Sequence, residues 1–439
     1  MGRHHVLIGN GPAAMSAAEA IREADRDAEI IALSSDPHGY YSRPGLAYYL
    51  ANELPEKGLF PFTERDVEQL GLRLIAERVV RLDPDAHVVT LQSGHTLTYD
   101  RLLIATGSAA IPLNVPGAQL DGVVKLDDMT DARDLIRRCR RAKTAVVVGG
   151  GITALEIVEG LRAHHVHVHY LMRRDRYWSN VLSECESNIV EEGLRGQGVE
   201  IHYFSDLVGI YGEHGRVTGV QTAAGEHIAC DLVAAAIGVM PQVELARSAG
   251  LDCERGVLVD AQLRSSSADI FAAGDVAEVY DVASGHRTLD VLWSSAVAMG
   301  RVAGRNMATD AVHPYVEPAA PMNVTRLAGF KITIIGTVGS GDDSDLAGIA
   351  RGDSQHWREL GDAVTVELQS GESHIRLALG ERTMAGAVVT GDQALSFPIQ
   401  ELIEAHADIS GIIDRLEAPG AAVVQIVSDF HREWAGSRV

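Results

Sequence analysis

Apolar positions along this chain take two alternating forms. Short unbroken aliphatic runs are followed by stretches in which apolar residues recur every three or four positions. "HVLIGNG" is of the first kind, and "PAAMSAAEAIRE" behind it is of the second; "AVVVGGG" and "ITALEIVEGLRA" repeat the pair. Such runs predict buried strands, and the 3.6-residue period predicts helices packed on them. "YDRLLIATGSAAIP" (99–112) and "CDLVAAAIGVMPQ" (230–242) form a second repeated pair, buried strands ending at Gly107 and Gly238. "SSADIFAAGDVAEV" (266–279) predicts a strand ending at Gly274 and Asp275. Near residue 315, "HPYVEPAAP" reads as a linker. Beyond it, "FKITIIGTVG", "DAVTVELQSG", "SHIRLALG" and "TMAGAVVTG" predict short strands, and "FPIQELIEAHADISGIIDRL" predicts one helix. No amphipathic anchoring helix is read at the C-terminus.

Each strand-to-helix junction carries Gly-x-Gly-x-x-Ala: Gly9, Gly11 and Ala14 in the first, Gly149, Gly151 and Ala154 in the second. The first glycine permits a tight turn, the second lets a phosphate approach the backbone, and the small third residue lets helix pack on strand. The helix N-terminus then presents free N–H groups and a positive dipole end to a pyrophosphate. One match is weak; two, each between an apolar strand and a helix, predict two Rossmann-like dinucleotide-binding units. The expected fold is α/β. Residues 1–110 and 244–315 form the first unit, 111–243 the second, and 320–439 a C-terminal α+β domain of interface or dimerisation type.

Composition narrows the field. A formal charge of −22 over 439 residues argues against non-specific binding to nucleic acid or anionic lipid. Cys139, Cys185, Cys230 and Cys253 have no close spacing, which excludes a disulfide framework or a thiolate zinc site. No apolar run approaches the ~20 residues of a membrane span, and "MGRHHVLIGNG" enters a strand too early for a signal peptide. A soluble, cytoplasmic protein is expected. The histidines of "AHHVHVH" (163–169) place His165, His167 and His169 on one strand face. A strand of a parallel nucleotide-binding sheet packs under helices, so no metal site is expected there.

In the order of these motifs, residues 4–312 resemble the glutathione reductase-like flavoprotein reductases, which have two dinucleotide-binding domains. The chain is most similar to the branch of rubredoxin and ferredoxin reductases and to the flavin portion of nitrite reductases. The resemblance implies FAD on the first unit, with Gly9, Gly11, Pro12, Ala13 and Ala14 at its pyrophosphate. Asp36, with Ser34 or Ser35, takes the adenosine ribose, and the backbone of Val79 takes adenine. Arg43 meets a phosphate, and Pro44 stiffens the turn. Ala105, Thr106 and Gly107 match an "ATG" turn, and Gly274 and Asp275 match the motif that binds ribitol; a helix N-cap is the other reading of Asp275. Trp293 precedes a helix whose N-terminus faces the flavin, and a core tryptophan is the alternative.

The same resemblance implies NAD(P)H on the second unit, at Gly149, Gly151, Ile152, Thr153 and Gly238. Arg173 and Arg174 suit a 2′-phosphate and favour NADPH, unless they form only a solvated basic turn. Glu156 matches an acid held beneath the nicotinamide and flavin rings. Its usual lysine partner is replaced by Tyr48, so Glu156, Tyr48 and Trp293 are the residues expected nearest the chemistry. "GYYSRPGLAYYL" (39–50) holds no cysteine where related disulfide reductases carry a redox pair. Electrons are therefore expected to pass from flavin straight to an iron–sulfur-type protein, and the Arg-rich "RDLIRRCRRAK" (133–143) is a candidate docking patch. The alternatives are an electron-input subunit of a larger metalloenzyme, a slow redox sensor holding FAD and NAD(P), and a quinone or oxygen reductase. A homodimer or a complex subunit fits equally.

Overall fold

The computed structural model describes residues 2–280, 285–316, 318, 320–339, 354, 363–370, 373–418 and 420–438. The first motif strand, His4–Ile8, lies at the centre of a five-stranded parallel sheet. The order is Ile270–Ala272, Arg101–Ile104, His4–Ile8, Glu29–Leu33, Leu72–Ile75. The second motif strand, Thr144–Val148, lies at the centre of another, ordered Val199–His202, His167–Leu171, Thr144–Val148, Leu232–Ala235, Val123–Val124. Strands buried on both faces read as continuous apolar runs, hence their legibility.

The first motif helix, Pro12–Ala24, packs against the late helix Trp293–Ala308. Glycines make this contact close: a Cβ on Gly300 would stand 2.2 Å from the Ala13 carbonyl oxygen, and one on Gly304 2.4 Å from that of Ala17. The start of the late helix is thereby held beside the first glycine motif.

The two repeated crossing segments meet each other. Ser108–Ala110 pairs antiparallel with Val239–Pro241. Thr106 Oγ1 donates to the Gln242 carbonyl at 2.9 Å, and Gln242 Nε2 returns a bond to the Thr106 carbonyl at 2.8 Å. This ribbon joins the two units. A three-stranded meander, Leu207–Glu213, Arg216–Thr222 and His227–Ala229, covers part of one face of the second sheet, over Val146, Val148 and Val233.

Beyond the linker region, whose Tyr315 is buried in the first core, stands a five-stranded antiparallel sheet. Its order is Met322–Leu327, Phe330–Gly336, Met384–Thr390, Ser373–Leu379, Val364–Ser370. One face, through Ile332, Ile334 and Val388, packs on Leu155, Val158 and Leu194 of the second unit. The other face carries helices. Here the expectation of one helix over 397–416 fails: the chain forms Ser396–Glu404 and Ile413–Glu417. His406, at φ 46°, ends the first. His406 N–H donates to the Ile403 carbonyl and Ala407 N–H to that of Leu402, a Schellman stop without glycine. A further helix, Val423–Gly436, was not anticipated. Its buried residues Val423, Ile426 and Val427 join the core beneath Ser396–Glu404, so its apolar stripe is used inside the domain. Among the described residues, no helix is long and apolar enough to cross a membrane.

Candidate functional site

The two glycine turns are built alike. Gly9 has φ 131°, and a Cβ there would lie 2.1 Å from the Ala105 carbonyl oxygen; Gly149 has φ 146°, and its Cβ would lie 2.1 Å from that of Ala236. Both are glycine because the next strand's exit crosses the turn. Gly11 is different. Its φ is −79°, and a Cβ would meet nothing within 4 Å. The protein's own packing does not require glycine there; the space beside it does.

That space is a cavity of about 440 Å³. Gly9, Gly11, Pro12 and Ala13 of the first motif line it, as do Ser35 and Asp36 after the second strand and Arg43, Pro44 and Tyr48 of the cysteine-free stretch. Val79, Ala105, Thr106, Gly107, Gly274, Asp275 and Trp293 also line it, and Ile152, Thr153 and Glu156 enter from the second motif helix, Ile152–Ala163. Others stand apart. Ala14 is fully buried under its helix. Gly151 and Gly238 border a separate cleft of about 20 Å³ in the second unit, which Thr153 lines from its other side. Arg173 and Arg174 lie past the end of His167–Leu171, both exposed, and Arg173 Nε is 2.9 Å from Asp206 Oδ1.

The helix ends suit an anion. Three helices are capped by a side chain, from Thr63, Asp128 and Ser183. The two motif helices have glycine N-caps and no side-chain cap bond, which leaves their first N–H groups for a ligand. Pro12, lacking an N–H, sits at the first turn, where that loss is harmless. With the open position at Gly11, these features fit the pyrophosphate of a dinucleotide such as FAD.

Polar groups around the cavity are held in place by neighbours. Asp36 Oδ1 accepts from His38 N–H at 2.9 Å and Oδ2 from the Tyr41 hydroxyl at 2.8 Å. The Tyr41 hydroxyl in turn accepts from Met129 N–H at 3.0 Å. Asp275 accepts from Ser108 Oγ at 2.6 Å. No helix starts at Asp275, so the N-cap reading is excluded; a strand, Ala277–Tyr280, follows. Trp293 is 51% exposed at the cavity wall, which excludes a core role.

Around Tyr48 the structure supplies what the sequence left open. Tyr48 is 38% exposed, and its hydroxyl pKa is raised, by burial first and then by the charge of Glu156, with Arg326 opposing. The Arg326 guanidinium sits 5.8 Å from the Tyr48 ring centroid and is ion-paired with Glu53. A cation therefore does reach this place, carried by the C-terminal strand Met322–Leu327 instead of by the opening stretch. The same strand lines the cavity with Asn323, Val324 and Thr325. Beside it, burial raises Glu159 to a pKa of about 7, against Arg326. Sequence reading missed Arg326, Glu159, Ser108 and Gln242. Only Ser108 had a local signal, its place directly after the "ATG" turn.

Among the described residues, no cysteine lines the cavity. Burial raises all four thiols, Cys139 to about 11 and Cys230 to about 12, so none is a ready thiolate at neutral pH. The Arg-rich helix is largely neutralised: Arg133 pairs with Glu56, Arg137 with Asp134, and Arg138 with Asp134 and Asp121.

Comparison with known proteins agrees with this geometry. The family model described as pyridine nucleotide-disulphide oxidoreductase matches residues 3–300. The ferredoxin–NAD(+) reductase component of a biphenyl dioxygenase system from Paraburkholderia xenovorans is 33% identical over 80% of this chain and 84% of its own. A rubredoxin–NAD(+) reductase from Pseudomonas putida is 32% identical over 62% of this chain and 71% of its own. An assimilatory nitrate reductase electron transfer subunit from Bacillus subtilis is 29% identical over 62% of this chain, but over 36% of its own length. In fold, a ferredoxin reductase from Rhodopseudomonas palustris superposes with a TM-score of 0.85 at 24% identity, covering 97% of this chain and 100% of that one.

Proposed function

Because the chain belongs to the pyridine nucleotide-disulphide oxidoreductase family, we propose that it is an FAD-dependent NAD(P)H oxidoreductase delivering electrons to a small iron–sulfur protein of ferredoxin or rubredoxin type. The observation that carries this reading is a cavity reached by both motif helices and lined, among the described residues, by no cysteine. A disulfide relay needs a thiolate beside the flavin, and the available thiols are elsewhere and protonated. FAD, when bound, supplies the conversion of a hydride into single electrons.

The chain's own residues bind and orient. On this reading, residues 1–110 and 244–315 carry FAD, and 111–243 carry the pyridine nucleotide. Gly11 and the N–H groups following it take the pyrophosphate. Asp36 and Asp275, each held by a neighbouring hydroxyl, take sugar and ribitol hydroxyls. The late helix directs its positive end at the ring system, and Trp293 forms the exposed wall through which electrons leave. Glu156 and Tyr48 flank the nicotinamide.

Arg173 and Arg174 favour NADPH over NADH. Arg174 is exposed, and Arg173 can exchange its Asp206 partner for a 2′-phosphate. Two of the relatives named above are NAD(+) reductases, so the coenzyme is a direct test. Anaerobic reduction of the FAD-loaded protein should proceed within turnover time and faster with NADPH. Addition of a [2Fe–2S] ferredoxin or a rubredoxin should then reoxidise it. Reduction too slow for turnover would refute the reductase, leaving a redox sensor; a higher kcat/KM for NADH would refute the arginine reading. The Bacillus subtilis relative favours a second reading, an electron-input subunit, which requires a metalloenzyme to co-purify from the native host.

A further inference from the structure

The second parallel sheet carries a side-chain cluster that the redox reading leaves unused. His165 precedes the strand, at φ 63°, and is not part of it. His167 and His169 lie on His167–Leu171, and Glu200 and His202 lie on the edge strand Val199–His202. Parallel pairing sets His169 opposite Glu200 and Val146 opposite His169, so the cluster shares the face on which the meander packs. Among the described residues the meander covers that face over Val146, Val148, Leu171 and Val233, while His167 and His169 are only partly buried and Glu200 is exposed. The corner at the sheet edge stays open, and Glu226 of the meander reaches it. The expected lack of room fails for this reason.

Distances within the cluster are those of converging ligands. His167 Nε2 is 3.0 Å from Glu200 Oε1, and His169 Nδ1 is 3.4 Å from Glu200 Oε2. One donor atom from each of His167, His169 and Glu200 can be chosen with all three within 4.8 Å of one another. Ligands about 2.0–2.1 Å from a tetrahedral zinc ion stand about 3.3 Å apart. His202 Nε2 is 3.1 Å from His169 Nδ1, and His202 Nδ1 is 3.4 Å from Glu226 Oε2, the carboxylate-to-imidazole support that orients metal-bound histidines.

We propose that His167, His169 and Glu200 bind one divalent ion of the zinc class, with His202, steadied by Glu226, beside them. Imidazole and carboxylate donors without thiolate suit Zn²⁺, Ni²⁺ or Cu²⁺ and not Mg²⁺ or Ca²⁺. The site is at the start of its strand, and Arg173 follows the end. His169 stands four residues before Arg173, ~13 Å at about 3.3 Å per residue, and neither the cavity nor the cleft of the second unit is lined by His167, His169 or Glu200. The ion ties the edge strand to its neighbour and blunts an edge open to strand pairing. The site stands independently of the electron-transfer reading.

The test uses FAD-loaded protein stripped with EDTA and titrated with ZnCl₂ by calorimetry, with thermal unfolding alongside. One Zn²⁺ should bind per chain and raise Tm, since the folded state alone assembles the ligands. His167→Gln and Glu200→Gln should each weaken binding at least ~10-fold. With side chains 42% and 56% exposed, both variants should keep full flavin content and ferricyanide reductase rate. Failure to bind zinc, or binding that survives either substitution, overturns the proposal: the five groups would then form only a hydrogen-bonded surface network.

Discussion

Gly9 and Gly11, two residues apart, are constrained by different neighbours. Gly9 is pinned by protein, with a carbonyl 2.1 Å from its missing Cβ and a φ of 131°. Gly11 is constrained only by whatever fills the cavity. Substitutions should separate these causes. Gly9→Ala should destabilise the fold by about 3 kcal/mol through backbone strain and the clash, seen as a lowered urea midpoint even without flavin. Gly11→Val should leave the apo midpoint within ~0.5 kcal/mol of the parent. It should cut FAD per chain sharply, read from visible absorbance after gel filtration. Equal destabilisation by both would mean that Gly11 serves the fold and not a ligand. The sequence motif names both glycines but cannot tell them apart, because the Ala105 carbonyl comes from the exit of the strand Arg101–Ile104, far along the chain.

At the scale of elements, the second motif helix, Ile152–Ala163, does more than begin a nucleotide site. It places Glu156 on the cavity and, one turn later, Glu159 in a half-buried position beside Arg326. Glu159 titrates near 4.5 in an unfolded chain and near 7 when folded. Between these values the folded state holds the extra proton, so its contribution to stability is present below pH 4.5 and is lost as pH rises to about 7. Glu159→Gln should flatten that dependence. The fall in unfolding free energy from pH 5 to pH 8 should be about 2 kcal/mol smaller than in the parent, by urea unfolding at each pH. An identical slope would show that Glu159 is ionised in the folded protein. The motif strands and helices were legible because parallel strands buried on both faces leave long apolar runs. The 397–416 segment was not, since its stop depends on a left-handed histidine and not on glycine or proline.

At the scale of the molecule, the C-terminal sheet is fastened to the second unit by a buried ion pair. Arg376 grips Glu186 in a fork, Nε to Oε1 and Nη2 to Oε2, both at 3.0 Å, and Nη2 also donates to the Val181 carbonyl. Arg376→Met should cost about 3 kcal/mol, because it removes the cationic partner of a buried carboxylate that keeps the Ser183 N–H as a donor. The double variant Arg376→Met with Glu186→Met should recover part of that, since the uncompensated charge is gone, while the Ser183 N–H and the Val181 carbonyl lose their partners. Chemical denaturation of the four proteins in the cycle measures it. Near-zero cost for the single variant would mean that water already reaches the pair. The docking matters for the site because Met322–Leu327 lines the cavity and sets Arg326 over Tyr48.

Two glycine motifs between apolar strands and helices, and a cysteine-free opening stretch, are local patterns. The chain alone therefore determined the α/β class, the repeated nucleotide units and the lack of a disulfide relay beside them. What depended on residues far apart needed the tertiary structure: which glycine answers to the cavity, the arginine that comes from the C-terminal sheet to Tyr48, and the open corner where His167, His169 and Glu200 meet. The physical reason is common to all three. Strand and helix periods act over a few residues, whereas carbonyl clashes, charge pairs and ligand clusters form between segments that only the packed sheets bring together.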